Sequence, residues 1–203
     1  MNKYLSLSII MISLVGCNKN NTPIYTTEFP NTVGNHWHYI YGSNTPTPSF
    51  IDVDIIGEGT LPDGQNAKIW VYKILSYTDT TYVVASAQTI KIYDKPCLTC
   101  INQMPFERME YRFPLGVGNC WFTSAAYGDT TKVLAQDSVT VPAGTFKNTY
   151  LLSKIRGYVT NSWTANEIWF TPYIGMTKLI QGEFSLGPVL GNGLWELDSY
   201  TIL

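Results

Sequence analysis

DSVTVPAGTFKNTYLLSK, residues 137–154, reads as strand, tight turn, strand. Proline pre-sets φ at the first turn position, and glycine accepts φ > 0 where the next strand leaves. A second copy lies upstream. Residues 59–74, GTLPDGQNAKIWVYKI, have the same layout, with Thr-x-Pro-x-Gly at Thr60, Pro62 and Gly64 and again at Thr140, Pro142 and Gly144. A second pair agrees: FPNTVGNHW at 29–37 and FPLGVGNCW at 113–121 match at six of nine positions. Two patterns in one order, recurring after 84 and 80 residues, imply an internal duplication with units 29–112 and 113–203.

The rest of the chain keeps strand periodicity. In His36 to Tyr41, Trp37, Tyr39 and Tyr41 alternate with His36, His38 and Ile40. Further strands are predicted at 50–56, 67–75, 80–87, 89–93 and 106–113 in the first unit. The second unit gives 120–127, 130–139, 145–155, 167–171, 176–181 and 194–203. No window of these residues sustains a helical i, i+3, i+4, i+7 pattern, so the fold class is all-β. No flexible linker separates the units. They are expected to pack as two similar antiparallel sheets, as a sandwich or a curved half-barrel, with Trp37 and Trp121 in equivalent core positions.

Residues 1–16 read as a signal peptide. Lys3 supplies a basic start, and Leu5 to Val15 is too short to span about 30 Å of hydrocarbon. Leu14-Val15-Gly16-Cys17 resembles the bacterial lipobox. That likeness implies cleavage before Cys17, a diacylglyceryl thioether on its sulfur and acylation of its new amino group. Residues 17–28 are then the lipidated cysteine and a polar tether. No acidic run follows Cys17, so the expected location is the outer membrane, facing the periplasm. From Cys17 the chain has 12 basic and 15 acidic side chains with no run of either sign, which excludes nucleic acid as a partner.

Cys97-x-x-Cys100 sits in an oxidising compartment, where a disulfide closing a small loop is the plain reading. A closed zinc site needs four ligands, and Cys97, Cys100 and Cys120 would need His36 or His38 to complete one. Otherwise Cys120 is expected as a buried, reduced thiol. His36 and His38 share a strand face at a spacing that can chelate a metal. The alternative is two polar residues on a solvated face. No GxSxG, HExxH or GxxxxGK[ST] motif is present, and no cofactor or catalytic residue is indicated. The repeated Gly-Asn positions are explained by turn geometry, so function is sought in unrepeated segments, Lys95 to Pro105 and Glu183 to Gly193.

The double FPxxVGNxW pattern, the VPAGTF turn, EIWFTPYIGMTKL and the closing LWELDSYTI strand resemble uncharacterised lipoproteins of Bacteroidetes-type bacteria over nearly all of residues 29–203. VPAGTF followed by W-F-x-P-x-I-G is also similar to LolA-like periplasmic half-barrel domains. The first copy departs from this, with Gln65-Asn66 where the second has Thr145-Phe146. The resemblance implies an envelope location and no established activity. Two function classes follow. One is a non-catalytic binding module for a lipid, glycan or envelope protein, with Trp70, Tyr72, Tyr150, Trp169 and Phe170 lining an apolar concavity. The other is a structural or assembly lipoprotein acting through a surface or sheet edge. A hydrolase is a third, weaker alternative.

Overall fold

Alternation of apolar and polar side chains governs the strands. In Phe50–Thr60, Ile51, Val53 and Ile55 are buried, while Asp52 and Asp54 take the opposite face. Twelve such strands make up the computed structural model, which describes residues 28–42, 49–74, 77–100, 103–122, 130–155, 165–181 and 193–203. The signal peptide, Cys17, the tether up to residue 27 and residues 183–192 lie outside the described residues.

The first six strands are β1 (His36–Tyr41), β2 (Phe50–Thr60), β3 (Asn66–Ile74), β4 (Tyr77–Ala85), β5 (Thr89–Asp94) and β6 (Glu107–Arg112). The second six are β7 (Cys120–Phe122), β8 (Thr130–Val141), β9 (Gly144–Ile155), β10 (Ala165–Thr171), β11 (Gly175–Gln181) and β12 (Gly193–Thr201). Each six is an up-and-down meander. Pairing of β1 with β12, His36 opposite Thr201 and Tyr41 opposite Trp195, joins them. The result is one antiparallel sheet in the order β6-β5-β4-β3-β2-β1-β12-β11-β10-β9-β8-β7. The chain is all-β, and its halves are continuous through the β1–β12 ladder.

The sheet curls until its two edges meet. Trp121 of β7 donates Nε1–H to the Glu110 carbonyl of β6 at 2.9 Å, and Lys154 of β9 donates to the Arg108 carbonyl at 2.6 Å. Residues 108 and 110 are two apart on an edge strand, so their carbonyls point the same way. Side chains of the other half supply their donors, which blunts the edge and nearly closes the barrel.

The two FPxxVGNxW segments make the same local contacts. Gly34 N–H donates to the Ile55 carbonyl at 2.8 Å, and Ile55 N–H donates to the Asn35 carbonyl at 3.0 Å. Gly118, Val133 and Asn119 repeat this at 2.9 Å and 2.9 Å. Both glycines sit at positive φ, 96° and 90°, where a Cβ would be strained. A bulge follows each contact residue, at Ile55/Gly57 and at Val133/Ala135. Pro62-Asp63-Gly64 and Pro142-Ala143-Gly144 each turn the second strand of a half into the third.

Trp37 and Trp121 are both buried, at 1 % and 3 % exposure, but their partners differ. Trp37 stacks on Trp70 at 5.0 Å and donates to the Ile174 carbonyl in the β10–β11 turn at 2.7 Å. Phe29, ahead of β1, fills the middle. Its ring lies 5.6 Å from Trp70, 5.6 Å from Tyr111 and 5.8 Å from Phe170, to which it is nearly parallel. Burial pushes the phenols of Tyr39, Tyr72 and Tyr111 far above their usual range, so they stay protonated. The void among these rings measures about 10 Å³, too small for a ligand.

Cys97 and Cys100 are joined by a disulfide. Cys120 is a free thiol and, against the expectation of burial, it is exposed. Its neighbour Trp121 takes the inward face of a three-residue edge strand, which leaves Cys120 and Phe122 on the solvent side.

Candidate functional site

The aromatic residues expected to line a concavity are mostly in the filled interior. Trp70, Tyr72 and Phe170 are 4 %, 0 % and 0 % exposed. Tyr150 and Trp169 are partly buried and pack against the same core, with the Lys178 ammonium 5.5 Å from the Trp169 ring centre. The sheet curls far enough for opposing rings to touch, so the aromatic surface is spent on packing.

His36 and His38 share the outer face of β1, opposite Asp54 and Asp52 of β2. The His36 Nδ1–Asp54 Oδ1 distance is 2.8 Å, His38 Nδ1–Asp52 Oδ1 is 2.7 Å, and the Lys73 Nζ–Asp54 Oδ2 distance is 2.9 Å. Each imidazole therefore has a carboxylate partner. Among the described residues, no group of three or more His, Cys, Asp or Glu is placed to hold a metal.

Burial alone would raise the Asp54 carboxyl, but hydrogen bonds from Lys73 and His36 outweigh it and hold the carboxyl below its usual value. A depressed carboxyl contributes stability above the unfolded value of about 3.9, and that contribution is lost as pH falls through the folded value. Lys73→Met removes the largest lowering partner. Its acid unfolding transition, followed by circular dichroism, is expected at a higher pH than that of wild type. An unmoved transition would remove Lys73 as the cause.

An open cleft of about 620 Å³ lies at the end of the sheet where β1 and β3 begin and β2, β4 and β12 end. Its near side is the segment ahead of β1, which contributes Asn31, Thr32 and Asn35. Tyr173 N–H donates to the Glu28 carbonyl at 2.7 Å, and Trp70 Nε1–H donates to Asn31 Oδ1 at 2.9 Å, so this segment is tied to both halves. Glu58, Asn66, Lys68 and Val83 form the sheet side, with Glu58 and Lys68 paired to each other. Tyr173 and Leu203 approach from the second half.

Asn35 stands apart from its neighbours. It is 1 % exposed; its Oδ1 accepts from Leu203 N–H at 3.0 Å, and its Nδ2 is buried without a hydrogen-bond partner. A buried amide donor left unpaired typically costs about 1–3 kcal/mol. The matching Asn119 is exposed and donates Nδ2–H to the Pro114 carbonyl at 3.4 Å. The difference arises at Gly34, where a Cβ would stand 2.6 Å from Leu203 Cδ1. At Gly118 nothing comes within 4 Å. Leu203 covers the first FPxxVGNxW segment and not the second. Tyr173 is 59 % exposed and holds φ 69°, a left-handed conformation that a bulky side chain rarely adopts.

Sequence reasoning assigned Asn35 to turn-making and passed over Glu58, Lys68 and Tyr173. The unrepeated segment at 95–105 carries the disulfide, and none of its described residues borders the cleft. Only the bulky residue in the turn Pro172-Tyr173-Ile174-Gly175 was a usable signal.

No protein-family model matches this chain, and neither does any curated protein. Two solved structures are similar. One is a Parabacteroides distasonis protein designated a lipoprotein, with a TM-score of 0.49 and 16 % identity, covering 87 % of this chain and 99 % of its own. The other is a Bacteroides fragilis protein designated an exported protein with a YmcC-like fold, with a TM-score of 0.49 and 12 % identity, covering 88 % and 99 %. Likeness at this level transfers neither a ligand nor an activity.

Proposed function

We propose that this chain is a lipid-anchored envelope protein whose barrel-like domain binds a ligand, without catalysis, in the cleft beside Asn35. The observation that carries this reading is the cleft itself. Its volume falls in the range of small-molecule sites, and its lining mixes polar side chains such as Asn31, Thr32 and Asn66 with apolar ones. Its paired carboxylate and ammonium, Glu58 and Lys68, are turned toward each other. The lipobox ending in Cys17 supports the anchor, and three acyl chains at about 0.8 kcal/mol per buried CH₂ hold a domain where one would not. The polar tether after Cys17 supports an outer-membrane, periplasm-facing position. The matched turns, bulges and tryptophans support a duplication of units 29–112 and 113–203.

Two variants test the reading. Cys17→Ser is expected to leave the membrane fraction or to stay unprocessed, and fractionation identical to wild type overturns the anchor. Ala85→Trp places a large ring in the cleft, which Ala85 borders. Thermal shift with a neutral oligosaccharide, a fatty acid and a peptide as probes is expected to give a saturable rise for at least one probe. That rise should be absent from Ala85→Trp. No response from any probe, or one indifferent to the new tryptophan, overturns the cleft as a site.

A further inference from the structure

We infer that the cleft beside Asn35 takes a neutral glycan, reading its hydroxyl or acetamido oxygens and stacking a sugar face on Tyr173. This rests on the ligand-binding reading above and narrows it to one chemical class.

Three features select that class. First, the two charged side chains that border the cleft, Glu58 and Lys68, are paired with each other, so an ionic ligand gains little from them over water. Second, the lining is mixed. Asn31, Thr32, Asn35 and Asn66 are interleaved with Val83 and Leu203. An acyl chain buried there would strip water from the Asn31, Thr32 and Asn66 side chains and return no hydrogen bonds. A pyranose has apolar C–H faces and a rim of groups that both donate and accept, which suits this alternation. Third, Tyr173 borders the cleft with an exposed side chain on a backbone at φ 69°. An aromatic face there offers a sugar an apolar platform with only two side-chain torsions to order. The backbone strain at Tyr173 has no packing return on its own side chain, which is 59 % exposed.

The experiment uses the full-length lipidated chain in detergent. Its probes are an N-acetylated trisaccharide (chitotriose), a hydroxyl-only trisaccharide (maltotriose) and a fatty acid, read by calorimetry and by quenching of tyrosine and tryptophan fluorescence. Saturable binding of either sugar is expected, and a preference between the two shows whether the acetamido or the hydroxyl chemistry is read. Tyr173→Gly removes the ring and relieves the left-handed backbone. Its melting temperature is expected to match or exceed that of wild type, while sugar affinity falls about tenfold or more. Sugar affinity unchanged in Tyr173→Gly overturns the inference. Binding of the fatty acid but neither sugar, blocked by Ala85→Trp, overturns the glycan class and leaves the cleft reading standing. Silence from every probe overturns both.

Discussion

Trp37→Ala is expected to destabilise the protein by about 3–5 kcal/mol, a large fraction of the about 5–15 kcal/mol that holds a typical domain together. Three losses combine. The indole is 1 % exposed and stacks on Trp70 at 5.0 Å, so its removal opens a cavity in the aromatic centre. Its Nε1–H bond to the Ile174 carbonyl goes with it, leaving that acceptor unpaired. The same bond ties β1 to the β10–β11 turn, which carries Tyr173 next to Ile174. For a domain of this size the melting temperature should fall by roughly 10 °C. Trp37→Phe keeps part of the ring packing, loses the hydrogen bond and leaves a smaller void, so it should cost less than Trp37→Ala. His38→Ala, on the opposite face with one part-exposed carboxylate partner, is the control and should cost about 1 kcal/mol or less. If chemical denaturation gives Trp37→Ala and His38→Ala the same midpoint, the interior placement of this tryptophan is wrong.

The strands were legible because turn chemistry and alternation agree with each other in this chain. His36–Tyr41 is bounded as expected, and each of the other predicted strands overlaps one of the twelve. Register is set by which face is buried and by the turn that precedes it. Asp52 and Asp54 between Ile51, Val53 and Ile55 leave β2 no second way to face the core. What was not legible is how far the sheet curls. Periodicity is the same in a shallow half-barrel and a nearly closed barrel, so it could not say whether Trp70 and Phe170 would face a ligand or each other. The closure depends on the pairing of β1 with β12 and on two side-chain bonds to β6, one from β7 and one from β9, none of which leaves a local pattern. The cleft was hidden for a related reason. Asn35 and Asn119 share the same Val-Gly-Asn context, and Leu203, 168 residues along the chain from Asn35, is what covers the first and not the second.

Arg108→Met should be the most damaging single change near the seam, at about 3–5 kcal/mol, because it strands carboxylates that the guanidinium now satisfies. Arg108 is 13 % exposed. It forks onto Asp79 through both Nη atoms and reaches Asp94 through Nε, linking β4, β5 and β6. Asp79 is itself only 12 % exposed, so its charge cannot simply turn to water. Lysine is no substitute, since a single ammonium cannot hold both carboxylates in the planar geometry of the fork. The Arg108 carbonyl is also the acceptor for Lys154 of β9, so displacement of this residue disturbs the contact that closes the barrel. Pairing Arg108→Met with Asp79→Asn removes both charges at once. Measured by denaturant unfolding, the double variant should be more stable than the sum of the two single losses predicts, by about 1 kcal/mol or more. Strict additivity would mean that the two side chains do not act as a pair. The outcome also bears on assembly through a sheet edge. With the seam intact, the β6 carbonyls at 108 and 110 are occupied, and β7 is three residues long. An Arg108→Met protein that begins to self-associate while wild type stays dispersed would show that this ion pair keeps the β6 edge from pairing with another chain.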